Sequence, residues 1–293
     1  MKRIIFFLAA AIFVVSCDKI EKPYKIDREM PVGVDTPSFP PLTDVLQKYL
    51  FEDYTGHLCT NCPEGAEILK NLKTVMNDTL VLMAVHAGVE NMVRPNPSDQ
   101  GCSRGYTADY RTTAGNEYAA TFNVNANPSG MINRINFAGS PVLKGSTNWV
   151  AAMNSVERKA PTMGLQIIPI VRNDTAYIFI KSTLLSAVSS KLRLCAVLVE
   201  NGIVSPQKNG KAAIGSVPNI CDYEHNHVLR SSITSTWGDN IELSNPNDTI
   251  IKAYGLLLAE KSWRKENCYV IAFIYDEDTK EILQVEEVRL VGE

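Results

Sequence analysis

The feature that most constrains this chain is a junction at residues 51–72, "FEDYTGHLCTNCPEGAEILKNL", where an extended run turns into a helical one across Cys59 and Cys62. Before it, Val45 to Thr55 is strand-like; after it, Ala66, Ile68, Leu69, Leu72, Val75 and Met76 recur at the spacing of one helix face. The next run, "TLVLMAVHAG" at 79–88, is continuously apolar and bounded by turn residues, the pattern of a strand buried on both faces in a parallel sheet. The order β, CxxC, α, β demands a crossover helix over a parallel pair. The start of the chain is therefore α/β, with its two cysteines at the strand-to-helix turn.

Three chemistries fit such a pair. A bridge across so short a loop contributes only about 2 kcal/mol by chain entropy, which makes stability a poor reason for the spacing. Zinc needs two further ligands, and no second CxxC or finger-spaced His/Cys pair exists, so neither a metal nor any other cofactor is expected. Redox chemistry has a physical rationale. Unpaired N–H groups and the positive end of the dipole at a helix start favour thiolate over thiol. Cys59 is then the accessible nucleophile, and Cys62, one turn inside the helix and followed by Pro63, the resolving thiol. Pro63 is tolerated because the first helical turn has no N–H partner to lose. His57 is either a stabiliser of the thiolate or a solvated loop residue.

A loop-rich stretch, 89–113, precedes a short helix in "AGNEYAATFNV", a turn and strand in "NANPSGMINR", and a helix within 143–159. After Pro161 the character changes. Seven β-branched runs at hairpin spacing, from "LQIIPIV" to "ILQVEEVRLV", have no helices between them, which predicts an antiparallel, Ig-like β-sandwich over 161–293 and a boundary near residue 160. His86 ends a core strand as a packed histidine. His225 and His227 of "HNH" would share a strand face, with no third ligand in view. Cys102, Cys195, Cys221 and Cys268 allow three full pairings.

The N-terminus addresses the chain for export. "MKRIIFFLAAAIFVVSC" has Lys2 and Arg3, an apolar run too short for a comfortable membrane span, then small Ser16 before Cys17. Residues 18–42 carry five prolines and no period, the pattern of a disordered, semi-extended tether. In the compartments such a signal reaches, the six cysteines after Cys17 are free to form disulfides. Losing Lys2 and Arg3 with the signal takes the formal net charge from -3 to -5, which leaves no basic face for nucleic acid.

Several segments carry resemblances. "VVSC" resembles the lipobox of bacterial lipoproteins, which implies acylation of Cys17 and attachment by lipid. The strand, CxxC, helix and later proline over residues 43–160 resemble the thioredoxin fold. That likeness implies a cis-proline beside the dithiol at Pro128 and a buried acid at Asp53 that takes the proton of Cys62, although an acid at a strand end is equally a solvated one. Leu58 in place of a tryptophan and Thr60-Asn61 in place of Gly-Pro depart from the pattern. Asp78-Thr79-Leu80, Asp174-Thr175-Ala176 and Asp248-Thr249-Ile250 look like the O-glycosylation sequon of exported Bacteroidetes proteins, with Thr79, Thr175 and Thr249 as acceptors. Taken whole, with "YTGHLCTNCPEGA", "NPSGMINR" and "EHNHVLR", the chain resembles the 28-kDa outer membrane lipoprotein family of Bacteroidetes. The likeness implies an outer-membrane lipoprotein facing the periplasm or the surface, with a thioredoxin-like domain, a β-sandwich and an adhesin or receptor role. The CxxC itself points to thiol–disulfide exchange; the alternative is a non-enzymatic adhesin, receptor or assembly protein that binds a protein or glycan through its sandwich, with the CxxC as a structural disulfide.

Overall fold

A computed structural model describes residues 34–291 except 260. In chain order its elements are β1 (Tyr49–Thr55), α1 (Cys62–Met76), β2 (Leu80–His86), α2 (Glu90–Val93), α3 (Thr113–Thr121), β3 (Ser129–Ile132), β4 (Leu143–Lys144), α4 (Trp149–Ser155), β5 (Met163–Arg172), β6 (Thr175–Leu184), β7 (Leu192–Glu200), β8 (Ile203–Lys208), β9 (Asn219–His225), β10 (Val228–Ser232), β11 (Asp239–Ile241), β12 (Thr249–Leu257), β13 (Cys268–Asp276) and β14 (Ile282–Arg289). The fold is mostly β, in mixed and antiparallel sheets. As the apolar runs require, β1 and β2 are parallel, with α1 as their crossover.

One nine-stranded sheet, ordered β14-β13-β7-β10-β2-β1-β3-β4 with β11 also on β7, runs through both halves of the sequence. The expected boundary near residue 160 is therefore crossed by the sheet. The seam is β10, which pairs antiparallel with β7 and parallel with β2, where the Ala84 N–H donates to the His227 carbonyl at 2.8 Å. Period-two alternation explains both the continuity and the apparent division. Leu50 and Tyr54 of β1, Val197 and Val199 of β7, and Ile271 and Phe273 of β13 point to one face, where a single core with Ala114, Tyr118 and Ala119 of α3 spans both halves. The other face is split. Tyr49, Phe51, Leu80 and Leu82 meet α1 and α4, while Leu194, Leu198, Val270 and Ala272 meet the small antiparallel sheet β12-β6-β5.

The sandwich-like layering of the second half is thus β5, β6 and β12 laid over one end of the shared sheet. The tether expected to run to residue 42 reaches the folded part earlier. Leu42 packs so closely on Gly164 that a Cβ there would sit 2.3 Å from it, and the Pro40 carbonyl accepts from Gln166 Nε2 at 2.9 Å. Apolar Phe39 and Leu42 explain the docking, since burying them against β5 and β6 offsets the loss of chain freedom. Cys17, the signal and the tether up to residue 33 lie outside the described residues.

Candidate functional site

Parity along β1 and β2 builds the floor of the site. Tyr49 and Phe51 face α1 as apolar residues. Two and four positions on, the same row presents Asp53 and Thr55, whose register partners on β2 are Ala84 and His86. Above this row the chain turns through Gly56 to Asn61 into α1, and Cys59 and Cys62 are joined as a disulfide. The helix begins at Cys62, with Pro63 in its first turn, so Cys62 is its first residue and not one turn inside. Cys59 lies in the preceding turn, where its N–H donates to the Gly56 carbonyl at 3.0 Å.

Neither cysteine is open at the outer surface: Cys59 and Cys62 are each 2% exposed, and of the two only Cys62 borders the cavity beneath. This corrects the expectation of an open Cys59, and the cause is the hairpin β8–β9 with its connection. The Lys208 N–H donates to the His57 carbonyl and the Gly210 N–H to the Thr60 carbonyl, both at 2.8 Å. Gln207 Nε2 donates to the carbonyls of Gly56, at 3.2 Å, and Cys59, at 3.0 Å. A Cys102–Cys221 disulfide and the Lys208–Asp99 ion pair at 2.7 Å fasten this cap to the loop after α2. Cys102 is buried, whereas Cys221 is exposed. Cys195 and Cys268 are free and buried. They stand opposite Phe273 and Glu200 respectively on paired strands, five residues out of register and on opposite faces, so they cannot bridge.

Beneath the cap, a cavity of about 690 Å3 lies between α1 and the β9–β10 turn. Cys62, Asp53, His86, Tyr223, His225 and His227 line it, with Ala66, Lys70 and Thr74 of α1 along its outer wall. Asp53 is buried, and its Oδ1 has no hydrogen-bond partner. Desolvation without a compensating cation pushes its carboxyl up to about 7. Both nitrogens of His86, Nε2 of His225 and Nδ1 of His227 are also unpartnered. Burial drives His86 well below the usual imidazole range and lowers His225 to about 3 and His227 to about 4, so all three rings are neutral near pH 7. Among the described residues, no group of three or more His, Cys, Asp and Glu side chains is arranged to hold a metal ion.

The histidines differ from their sequence expectations. His57 is buried, not solvated; its Nε2 lies 3.1 Å from the Arg94 carbonyl, and its ring meets Tyr106 and Tyr110. His225 ends β9 while His227 sits in the following turn at φ 57°, so they do not share a strand face. The Asn127–Pro128 peptide is cis, and the Pro128 ring carbon lies 3.6 Å from where a Cβ on Gly65 would stand, which sets it against the first turn of α1. Asn127 fixes that loop by donating to the carbonyls of Tyr54 and Ala87, each at 2.9 Å. Thr79 Oγ1 is occupied by the Met76 carbonyl at 2.7 Å, Thr175 is half-buried at the start of β6, and Thr249 is exposed.

Sequence reasoning missed the cap, because Pro206 and a long connection interrupt the alternation of β8 and β9. The paired parity of "NICDYEH" was the available signal. It also missed Glu52 and Arg134. Both are fully buried, and Arg134 Nε and Nη2 donate to the two carboxylate oxygens at 2.8 and 2.9 Å. The guanidinium carbon lies 4.8 Å from the ring centre of Tyr118 and 5.2 Å from that of Phe273, with Phe122, Trp237 and Tyr275 around it. A charge in a strand otherwise reading as core was its signal.

The fold and site thus describe a mostly β protein with a disulfide covered by a hairpin. The model of the Outer membrane protein Omp28 family matches residues 115–292, more than half of the chain, and the protein belongs to that family. Membership places it at the outer membrane. The match begins after the CxxC and leaves the chemistry of Cys59 and Cys62 to the geometry. No curated protein matches the chain. Among solved structures, HBP35 of Porphyromonas gingivalis is similar at 12% identity and a TM-score of 0.60, over 84% of this chain and 76% of that one. A protein of Agrobacterium tumefaciens is similar at 13% identity and a TM-score of 0.50, over 85% and 97%. A domain of the outer membrane lipoprotein Omp28 from Porphyromonas gingivalis matches at 18% identity and a TM-score of 0.31, over 46% and 93%. At such identities the first two bear on the fold alone, and the third carries no weight.

Proposed function

We propose that the protein is an outer-membrane lipoprotein, acylated at Cys17, whose Cys59–Cys62 pair performs thiol–disulfide exchange within a thioredoxin-like half. The observation that carries this reading is Asp53. A buried, unpaired carboxyl is costly to a fold, and this one lies on the cavity wall it shares with Cys62. In the reduced protein the carboxylate takes the proton of one thiol, and the thiolate attacks a substrate disulfide. A mixed disulfide forms and one substrate thiolate leaves. The second cysteine then attacks the mixed disulfide, releasing the other substrate thiol and restoring Cys59–Cys62. The strand order β2-β1-β3-β4 with α1 over it, and the position of Pro128 against the start of α1, support the same reading.

The seal over both sulfurs favours a second reading, in which the disulfide is structural and the protein binds a protein or glycan through its strand-rich half. Of the three acceptors suggested by the sequon, exposed Thr249 is the best placed for a sugar. The two readings part in the rate of exchange and its dependence on Asp53. Exchange predicts that Asp53→Asn slows thiolate formation at pH 7 by on the order of tenfold, with the fold intact. A structural bridge predicts no dependence on that residue.

A further inference from the structure

Resting on the exchange reading, we infer that the substrates are low-molecular-weight thiols and disulfides that enter the cavity between α1 and the β9–β10 turn and react at Cys62. The usual approach to such a pair, from outside onto the first cysteine, is closed here. Residues 207–210 hydrogen-bond to the carbonyls of Gly56, His57, Cys59 and Thr60 and cover that side. The cavity opens instead along α1. Its lining includes Cys62 but not Cys59, and its size is that of small-molecule sites, too small to admit a folded protein.

The lining states what such a molecule carries. Asp53 Oδ1, both nitrogens of His86, His225 Nε2 and His227 Nδ1 are buried polar atoms without partners, and all five belong to side chains of this one cavity. Neutral imidazoles offer both donors and acceptors, which suits amide groups. Glu67 and Lys70 of α1, 3.6 Å apart as an ion pair, and Glu224 of β9 also line the cavity, so its charged groups have both signs, which suits a molecule bearing ammonium and carboxylate together. The class is a peptide-like thiol.

The step balances without any further reactant. In the reduced protein, Asp53 accepts the Cys62 proton, and the Cys62 thiolate attacks RSSR; the Cys62–SR bond forms as RS–SR breaks and RS⁻ leaves. Cys59, losing its own proton, attacks Cys62 and expels the second RS⁻. Two electrons pass from the dithiol to RSSR, and two RSH result. The assignment of roles is the reverse of that expected from the helix start alone.

Glutathione disulfide is the probe, with peptide mass spectrometry to read the labelled cysteine. The reduced Cys59→Ser protein should accumulate glutathione on Cys62, and Cys62→Ser should label Cys59 on the order of tenfold more slowly. Ala66→Trp and Thr74→Trp, which narrow the cavity from the solvent side of α1, should each slow reoxidation of the otherwise native protein by a similar factor. Insulin disulfides should react far more slowly than glutathione disulfide. Faster labelling of Cys59, or indifference to both tryptophans, overturns this inference while leaving exchange intact. If no reduced Cys59 and Cys62 can be obtained short of the potentials of structural bridges, the exchange reading fails and this one with it.

Discussion

Asp53 and Arg134 are two buried charges with opposite treatments. Arg134 is matched by Glu52, and removing either partner leaves the other uncompensated. Arg134→Met or Glu52→Gln should each cost about 3–5 kcal/mol in urea unfolding, and the double apolar replacement should cost far less than the sum. Asp53 has no such partner, and its folded value near 7 stands above the unfolded value of about 3.9. A raised acid stabilises fully below its unfolded pKa and loses that contribution as pH rises through the folded one. Relative to Asp53→Asn, the native protein should therefore lose up to about 4 kcal/mol between pH 4 and pH 8, read from urea midpoints across that range. His225 and His227 have the opposite sign. Their lowered values make the neutral rings stabilising above about pH 6.5, and that contribution is lost as pH falls toward 4. Subtracting the variant's profile isolates Asp53.

The β8–β9 hairpin decides what the dithiol can meet. Its Cys102–Cys221 bond spans 119 positions of sequence, and closing so long a loop contributes about 5 kcal/mol by chain entropy. Cys221→Ser should release the cap locally. Hydrogen exchange at the Lys208 and Gly210 amides should accelerate, and alkylation of the reduced Cys59 should rise by on the order of tenfold. Unchanged protection at both amides would mean that hydrogen bonds alone hold the cap. None of this was legible in the sequence. The local signals, a strand, a helix face with Pro63 in its first turn and an apolar strand at 80–86, identified the elements under the dithiol because those elements carry their own periodicity. What lies over it comes from residues 203–225, about 150 positions away, and no local pattern encodes which distant loop covers a turn. The exposure expected for Cys59 was an inference from the helix end alone, and Gln207 overrode it.

Across the whole molecule, the sequence reads as two modules because the helices stop near residue 155. Strand pairing ignores that division: β10 sits between β7 and β2, and one core face runs from Leu50 to Phe273. Residues 34–291 should therefore unfold in a single transition seen equally by Trp149 and Trp237, and a fragment beginning at 161 should not fold alone, having lost the strands beside β10 and the aromatic box of Arg134. No helix among the described residues is long and apolar enough to cross a membrane, and Cys17 is the proposed anchor. Cys17→Ala should move the protein from the membrane fraction into the soluble one. The central claim, that Cys59–Cys62 exchanges disulfides, is tested most directly by the reduction potential of that bridge, titrated against glutathione or dithiothreitol buffers and read by mass spectrometry of its own peptide. A potential above about -300 mV is predicted, within the range of exchanging proteins; a value well below it would identify a structural bridge and contradict the account.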